Sequence, residues 1–260
     1  LIVPGGGDIC ASLDVAGAPI TVEEEEVCTA FAGTMTADQS SYCLNGPTTI
    51  MASADGNAVI PEGYSQAYVL TQGESLTILN YAFEPSFVVT EGGMYTIHSL
   101  VFDETLDLSI VEPGVTTGFD VFGLLIDGGG EVCASLDVAG APINVDAPNA
   151  GGLTADMNPV SLENGSATIS ATPDGNIVVP TDYEVVYVLT QGESLTIVNA
   201  GPVPSFEVSE AGDYTIHTLV YDDATLDLSI VEIGVTTGFD VFGLIVPGGG
   251  DICASLDVAG

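Results

Sequence analysis

Residues 91–98 read Glu-Gly-Gly-Met-Tyr-Thr-Ile-His, and residues 210–217 read Glu-Ala-Gly-Asp-Tyr-Thr-Ile-His. In each, a tight turn delivers a tyrosine to the start of an apolar run. The run continues to Phe102 in the first case and to Tyr221 in the second. Runs of this length, rich in Val, Ile, Tyr and Thr and bounded by glycine, form strands. A tyrosine at such an entry can tie its hydroxyl back to upstream backbone, a device of antiparallel sandwiches.

Working outward, further short apolar or alternating runs occupy 48–53, 67–71, 75–79 and 86–90. Turn material separates them at 54–57, 71–73 and 91–93. The same series returns downstream. Residues 68–78 match 187–197, and 114–123 match 234–243. The string LIVPGGGDICASLDVAG fills 1–17 and again 244–260, with a near copy, LLIDGGGEVCASLDVAG, at 124–140. The two-module unit therefore repeats every 243 residues, and the chain is expected to be a window of a longer tandem array.

The predicted fold is all-β: tandem immunoglobulin-like antiparallel sandwiches. Between the sixth and seventh strands (F and G) lies a partly helical insertion, at 103–127 and 222–247. Short helices are expected after 222–227 and at 236–242, where Thr and Asp offer caps. Strand G is read at 9–15, 132–138 and 252–258. Residues 1–19 then finish a preceding module, and 20–140 and 141–260 form two complete ones. A rival phase places the boundary near Gly114 and makes CASLDVAG a first strand.

The chain has 37 Asp and Glu and no Lys or Arg, for a formal net charge of -37. It is also 46% hydrophobic, so it has the apolar surface to fold. Without a cation it cannot neutralise phosphate, which excludes nucleic acid and anionic lipid as partners. Every stabilised carboxylate must use backbone donors, hydroxyls or a metal. Self-repulsion must be screened by salt, over about 10 Å at 0.1 M. No apolar run reaches the roughly 18 residues of a membrane helix, so no membrane insertion is expected.

Five cysteines fall into two sets. Cys10, Cys133 and Cys253 are one module position seen three times. Cys28 and Cys43 occur in the first full module only. Because they vanish together, they are expected to pair together, in an oxidising exterior. The strand-G cysteines have no partner within a module, leaving buried thiols or bonds between chains.

No catalytic constellation is present. His98 and His217 are equivalent residues in different modules, which suits a structural role. The glycine triplets at 5–7, 128–130 and 248–250 lack a Walker lysine and read as turns. The run 23–26 reads as a solvated acidic loop. Asp103, Glu104 and Asp107, with Asp222, Asp223 and Asp227, are the candidate calcium ligands, although no DxDxDG loop accompanies them. Phe119, Phe122, Leu124, Leu125 and Ile126, echoed by Phe239, Phe242, Leu244 and Ile245, form a candidate self-association surface.

The strings Tyr187-Val-Leu-Thr-Gln-Gly, Gly212-Asp-Tyr-Thr-Ile-His-Thr-Leu-Val-Tyr-Asp222 and Gly-Gly-Gly-Asp-Ile-Cys-Ala-Ser-Leu-Asp257 resemble Ig-like repeats of giant surface proteins in gliding marine Bacteroidetes. The resemblance covers nearly the whole chain and carries no catalytic residue. It implies export by the type IX route and a cell-surface location. Adhesive filaments of the grappling-hook type fit best. The function expected is a structural repeat region that assembles with other copies and attaches to surfaces, prey or host cells. The alternative is a calcium-dependent, lectin-like adhesin whose modules bind glycans.

Overall fold

In a computed structural model, the described residues are 14, 16–21 and 28–260. Cys10, the acidic run 23–26 and most of the first strand-G copy lie outside them. The fold is all-β, with two helices of five residues each among the described residues.

The first module opens with β1 (Met35–Ala37), β2 (Ser41–Cys43) and β3 (Thr48–Ala54). It continues with β4 (Ser65–Gln72), β5 (Thr77–Ala82), β6 (Ser86–Val89) and β7 (Gly93–Phe102). Helix α1 (Gly118–Phe122) precedes β8 (Ser135–Leu136) and β9 (Ala141–Asp146). One sheet runs β1-β3-β6. The other runs β2-β9-β7-β4-β5, with β8 also on β7. Pairings are antiparallel except β2 with β9.

Between the sheets lie Met35, Ile50, Leu70, Phe87, Tyr95, Ile97 and Ile143, all buried. Alternation puts them there: along β9, Ala141, Ile143 and Val145 face in while Pro142 faces out. Tyr95 donates its hydroxyl to the Glu91 carbonyl at 2.8 Å, and Tyr214 to that of Glu210 at 3.1 Å. These are the ties expected of the opening strings.

The second module repeats the plan. It contains β10 (Leu153–Ala155), β11 (Ala167–Pro173), β12 (Glu184–Gln191), β13 (Thr196–Gly201), β14 (Ser205–Val208), β15 (Tyr214–Tyr221), α2 (Gly238–Phe242) and β16 (Ala254–Leu256). Its sheets run β10-β11-β14 and β13-β12-β15-β16.

The boundary expected at Gly140 is displaced. Residues 141–146, read as the start of the second module, complete the sheet of the first: β9 pairs with β7 from Gly93↔Val145 to Ile97↔Ala141. Strand G is thus two pieces, β8 and β9, on one edge of β7. The likeness to the first copy runs on past Gly140, with Ala141-Pro-Ile143 repeating Ala18-Pro-Ile20, and the apolar alternation that holds a strand runs on with it. In the second module β16 pairs with β15 as β8 pairs with β7.

Candidate functional site

The insertion covers the outer face of the second sheet, not one end of the sandwich. Buried Leu106, Val121, Leu125 and Ala134 pack there on Val69, Ile78 and Leu100. Leu226, Val241, Ile245 and Ala254 do the same on Val188, Ile197 and Leu219. The insertion also covers the edge of β5. Ile78 donates to the Thr116 carbonyl, Gly114 to that of Ile78 and Gly118 to that of Leu76, each at 2.8 Å. A paired edge cannot recruit a stray strand.

Both expected helical places are occupied. Asp107 and Asp227 cap 3-10 turns at Leu108–Ile110 and Leu228–Ile230. Thr117 and Thr237 cap α1 and α2 in reciprocal boxes with Asp120 and Asp240. The glycine triplets then turn the chain. A Cβ on Gly128 or Gly130 would collide with the carbonyl of Phe122 or Leu124, and Gly129 has φ +91°. All three positions exclude side chains, for two different reasons.

The apolar surface named from the sequence is divided by this packing. Leu125 and Ile245 are fully buried in their own modules. Phe122 and Phe242 are half-buried against the same clusters. These four are removed from a self-association surface, because the turn at the helix end aims them at the sheet. Phe119, Leu124 and Ile126 remain exposed, as do Phe239 and Leu244.

The cysteine pairing is corrected. Cys28 bonds to Cys133, and Cys43 bonds to Cys253. Joint loss from the second module does not mean mutual pairing: each of the two reaches a different copy of the recurrent cysteine. Cys28 ties the entry of the first module to the segment that leads from its own insertion into strand G. Cys43, on β2, bridges to the second module. The distance limit that separates successive strand-G cysteines places no limit on a strand-G cysteine and an entry-segment cysteine. The state of Cys10 lies outside the described residues.

Each histidine is enclosed by its own module. The His98 Nδ1 contacts the Asp137 carbonyl at 2.8 Å, so that nitrogen donates, and Nε2 accepts from Thr71 Oγ1 at 2.9 Å. His217 repeats this with Asp257 and Thr190. Burial pushes both imidazoles below their ordinary range, against the opposing pull of the Asp137 and Asp257 carbonyls.

The carboxylates are occupied by local donors. Asp55 accepts from Asn57 N at 2.8 Å and Thr34 Oγ1 at 2.7 Å. The Asn57 amide, then the Thr34 hydroxyl, hold it down to about 2. Asp103 is engaged by Thr105 and Asp107 by Ser109; Asp222 and Asp227 accept from Ala224 N and Ser229 N. Glu104 and Asp223 sit beside them without joining a set. Among the described residues, no three His, Cys, Asp or Glu side chains converge to hold a metal.

One difference separates the modules beneath the insertion. An apolar cavity of about 160 Å³ lies under the second, lined by Val188, Ile197, Leu219, Val241 and Ala200. Its counterpart in the first is about 20 Å³ and is lined by Tyr81. Tyr81 and Ala200 are the same position, so loss of one ring accounts for the space.

No family model and no curated protein matches the chain. Function must be argued from this geometry. The two disulfides are consistent with an extracellular location, and no described helix is long and apolar enough to cross a membrane. Cys133 and Cys253 are the functional residues the sequence reading left without partners. The usable signal was number: the first module brings two entry-segment cysteines, and two copies of the recurrent cysteine follow them in the chain.

Proposed function

We propose that this chain is a structural, adhesive repeat region of a secreted surface filament, built from Ig-like modules that associate with other copies. The carrying observation is a repeated apolar face on a surface with no cation. Phe119 and Leu124 stand out from the first insertion, and Phe239 and Leu244 stand at the same positions on the second, each phenylalanine 53% exposed. Patches repeated at the module period give each module the same lateral contact. A net charge of -37 opposes that contact at low ionic strength, and salt removes the opposition. Export by the type IX route and attachment to surfaces, prey or host cells follow from the resemblance of the repeats.

Electron microscopy and sedimentation of the chain at about 0.01 M and about 0.5 M NaCl test the reading. Bundles or larger species are expected at high salt only. Phe119→Ser with Phe239→Ser should abolish them, and these two replace the half-buried Phe122 and Phe242 as the informative positions. Monomer at both salt concentrations, or association indifferent to both substitutions, rejects the lateral contact.

A further inference from the structure

The two modules share a fold but differ in what lies between sheet and insertion. In the second, the cavity of about 160 Å³ has Val188, Ile197 and Leu219 on its sheet side and Val231, Ile233 and Val241 on its insertion side. Two polar residues also line it, Thr190 and His217. The His217 Nε2 accepts from Thr190 Oγ1 at 2.9 Å, and Nδ1 donates to the Asp257 carbonyl at 2.8 Å. Both side chains are therefore occupied with bonds inside the module. Ala200 and Ile233 line the cavity and are exposed, so they form its rim. In the first module their places are taken by Tyr81 and Pro113, and the space shrinks to about 20 Å³.

Size and lining restrict what this cavity can take. A protein cavity of about 150 Å³ with an aliphatic wall accepts benzene or xenon. Drug-sized ligands need about 300 Å³ or more. A water molecule needs two to four polar partners, and the side chains here leave none. Charge narrows the class further. Glu232 stands between the lining residues Val231 and Ile233, and the chain has no Lys or Arg. An anionic group at the rim would meet a carboxylate and no cation, and a charge inside would be buried without a partner.

We propose that the second module binds a small uncharged apolar molecule, the size of one six-membered ring, in the cavity beneath its insertion. The molecule enters past Ala200 and lies against Val188, Ile197 and Leu219. There it supplies the dispersion contacts that the Tyr81 ring supplies in the first module. Shape selects it, because the lining offers no free polar side chain. A ligand held only by the folded module stabilises that module. The first module carries its ring covalently; the second takes one from solution. Phe119 and Phe239 do not line the cavity, so the site is independent of the lateral contact.

The two histidines are built-in reporters. His217 lines the large cavity and His98 the small one. When the 260-residue chain is titrated with benzene and followed by NMR, the His217 imidazole signals should move and saturate while those of His98 stay. Nuclear Overhauser contacts from the benzene protons should reach the methyl groups of Leu219 and Val241. Ala200→Tyr should weaken binding, and Tyr81→Ala should give His98 the same response. Benzoate, the same ring with a negative charge, should bind at least about tenfold more weakly. Sedimentation at high salt should be unchanged by saturating benzene. The proposal is overturned if His217 shows no saturable movement, if both histidines move alike, or if the Overhauser contacts are confined to surface methyls. It is also overturned if benzoate binds as well as benzene. Loss of association in benzene overturns it too, since the cavity would then hold an aromatic side chain of another copy.

Discussion

Asp55 shows how a polyanion without a single cation keeps its acids ionised. Three local donors do the work that a salt bridge does elsewhere, and the same solution recurs at Asp120, Asp156, Asp174 and Asp240. The necessity was legible in composition; the particular donors were not, because they depend on which turn presents an amide two residues on. The histidines are the converse case, basic groups held neutral by burial. Their folded pKa lies below the unfolded value of 6.5. The unfolded chain then binds more protons as pH falls from about 6.5 towards the folded pKa, so stability is full above that window and declines through it. The carboxylates whose pKa values are lowered stay charged across that range. Melting followed at pH 7.5 and 5.5 in 1 M NaCl should show a lower midpoint at the acid pH. The double variant His98→Gln, His217→Gln should lose most of that difference, whatever its absolute stability. An equal drop in both proteins would remove the histidines as its cause.

At the scale of elements, the modules differ most where a single side chain decides whether the insertion seats fully. The cavity beneath the second insertion exists because Ala200 stands where the first module has Tyr81. Ala200→Tyr should fill part of it and stabilise the second module by about 1 kcal/mol, read as a rise in the denaturant midpoint. No gain, with the ring turned to solvent in the variant structure, would show that Tyr81 is not what closes the first cavity. Most strands were legible because their apolar residues alternate between turn signals, and the capped helices because Thr117 and Asp120 have the spacing of a capping box. Strand β9 was misplaced for a physical reason. Its pattern is that of any half-buried strand, and nothing local says which of two neighbouring sheets it joins. The insertion's surface was half legible: composition marks Phe119 to Ile126 as apolar, but only the turn geometry buries Leu125 and exposes Leu124.

At the scale of the molecule, the repeat and the two modules were plain from the string shared by 1–17 and 244–260, while the covalent connectivity was not. The bridge from Cys43 to Cys253 spans 210 residues and joins the beginning of one module to the end of the next. Its consequence is mechanical. A pull on the two ends of the chain travels through the sulfur atoms and bypasses everything between them. The elements from β3 to α2 sit inside a closed covalent ring and bear none of that load, whereas β1 with Met35 and β16 with Ala254 lie outside it. Stretched singly in an oxidising buffer, the chain should yield only the segments before Cys43 and after Cys253, β1 and β16 included. With reductant present, the same pull should release on the order of 700 Å of hidden contour, at about 3.4 Å per residue. Equal extension in both buffers would mean that the bridge is absent or bears no load. In air-saturated water such a thread behaves as an inextensible cord; in a reducing medium it becomes a shock absorber.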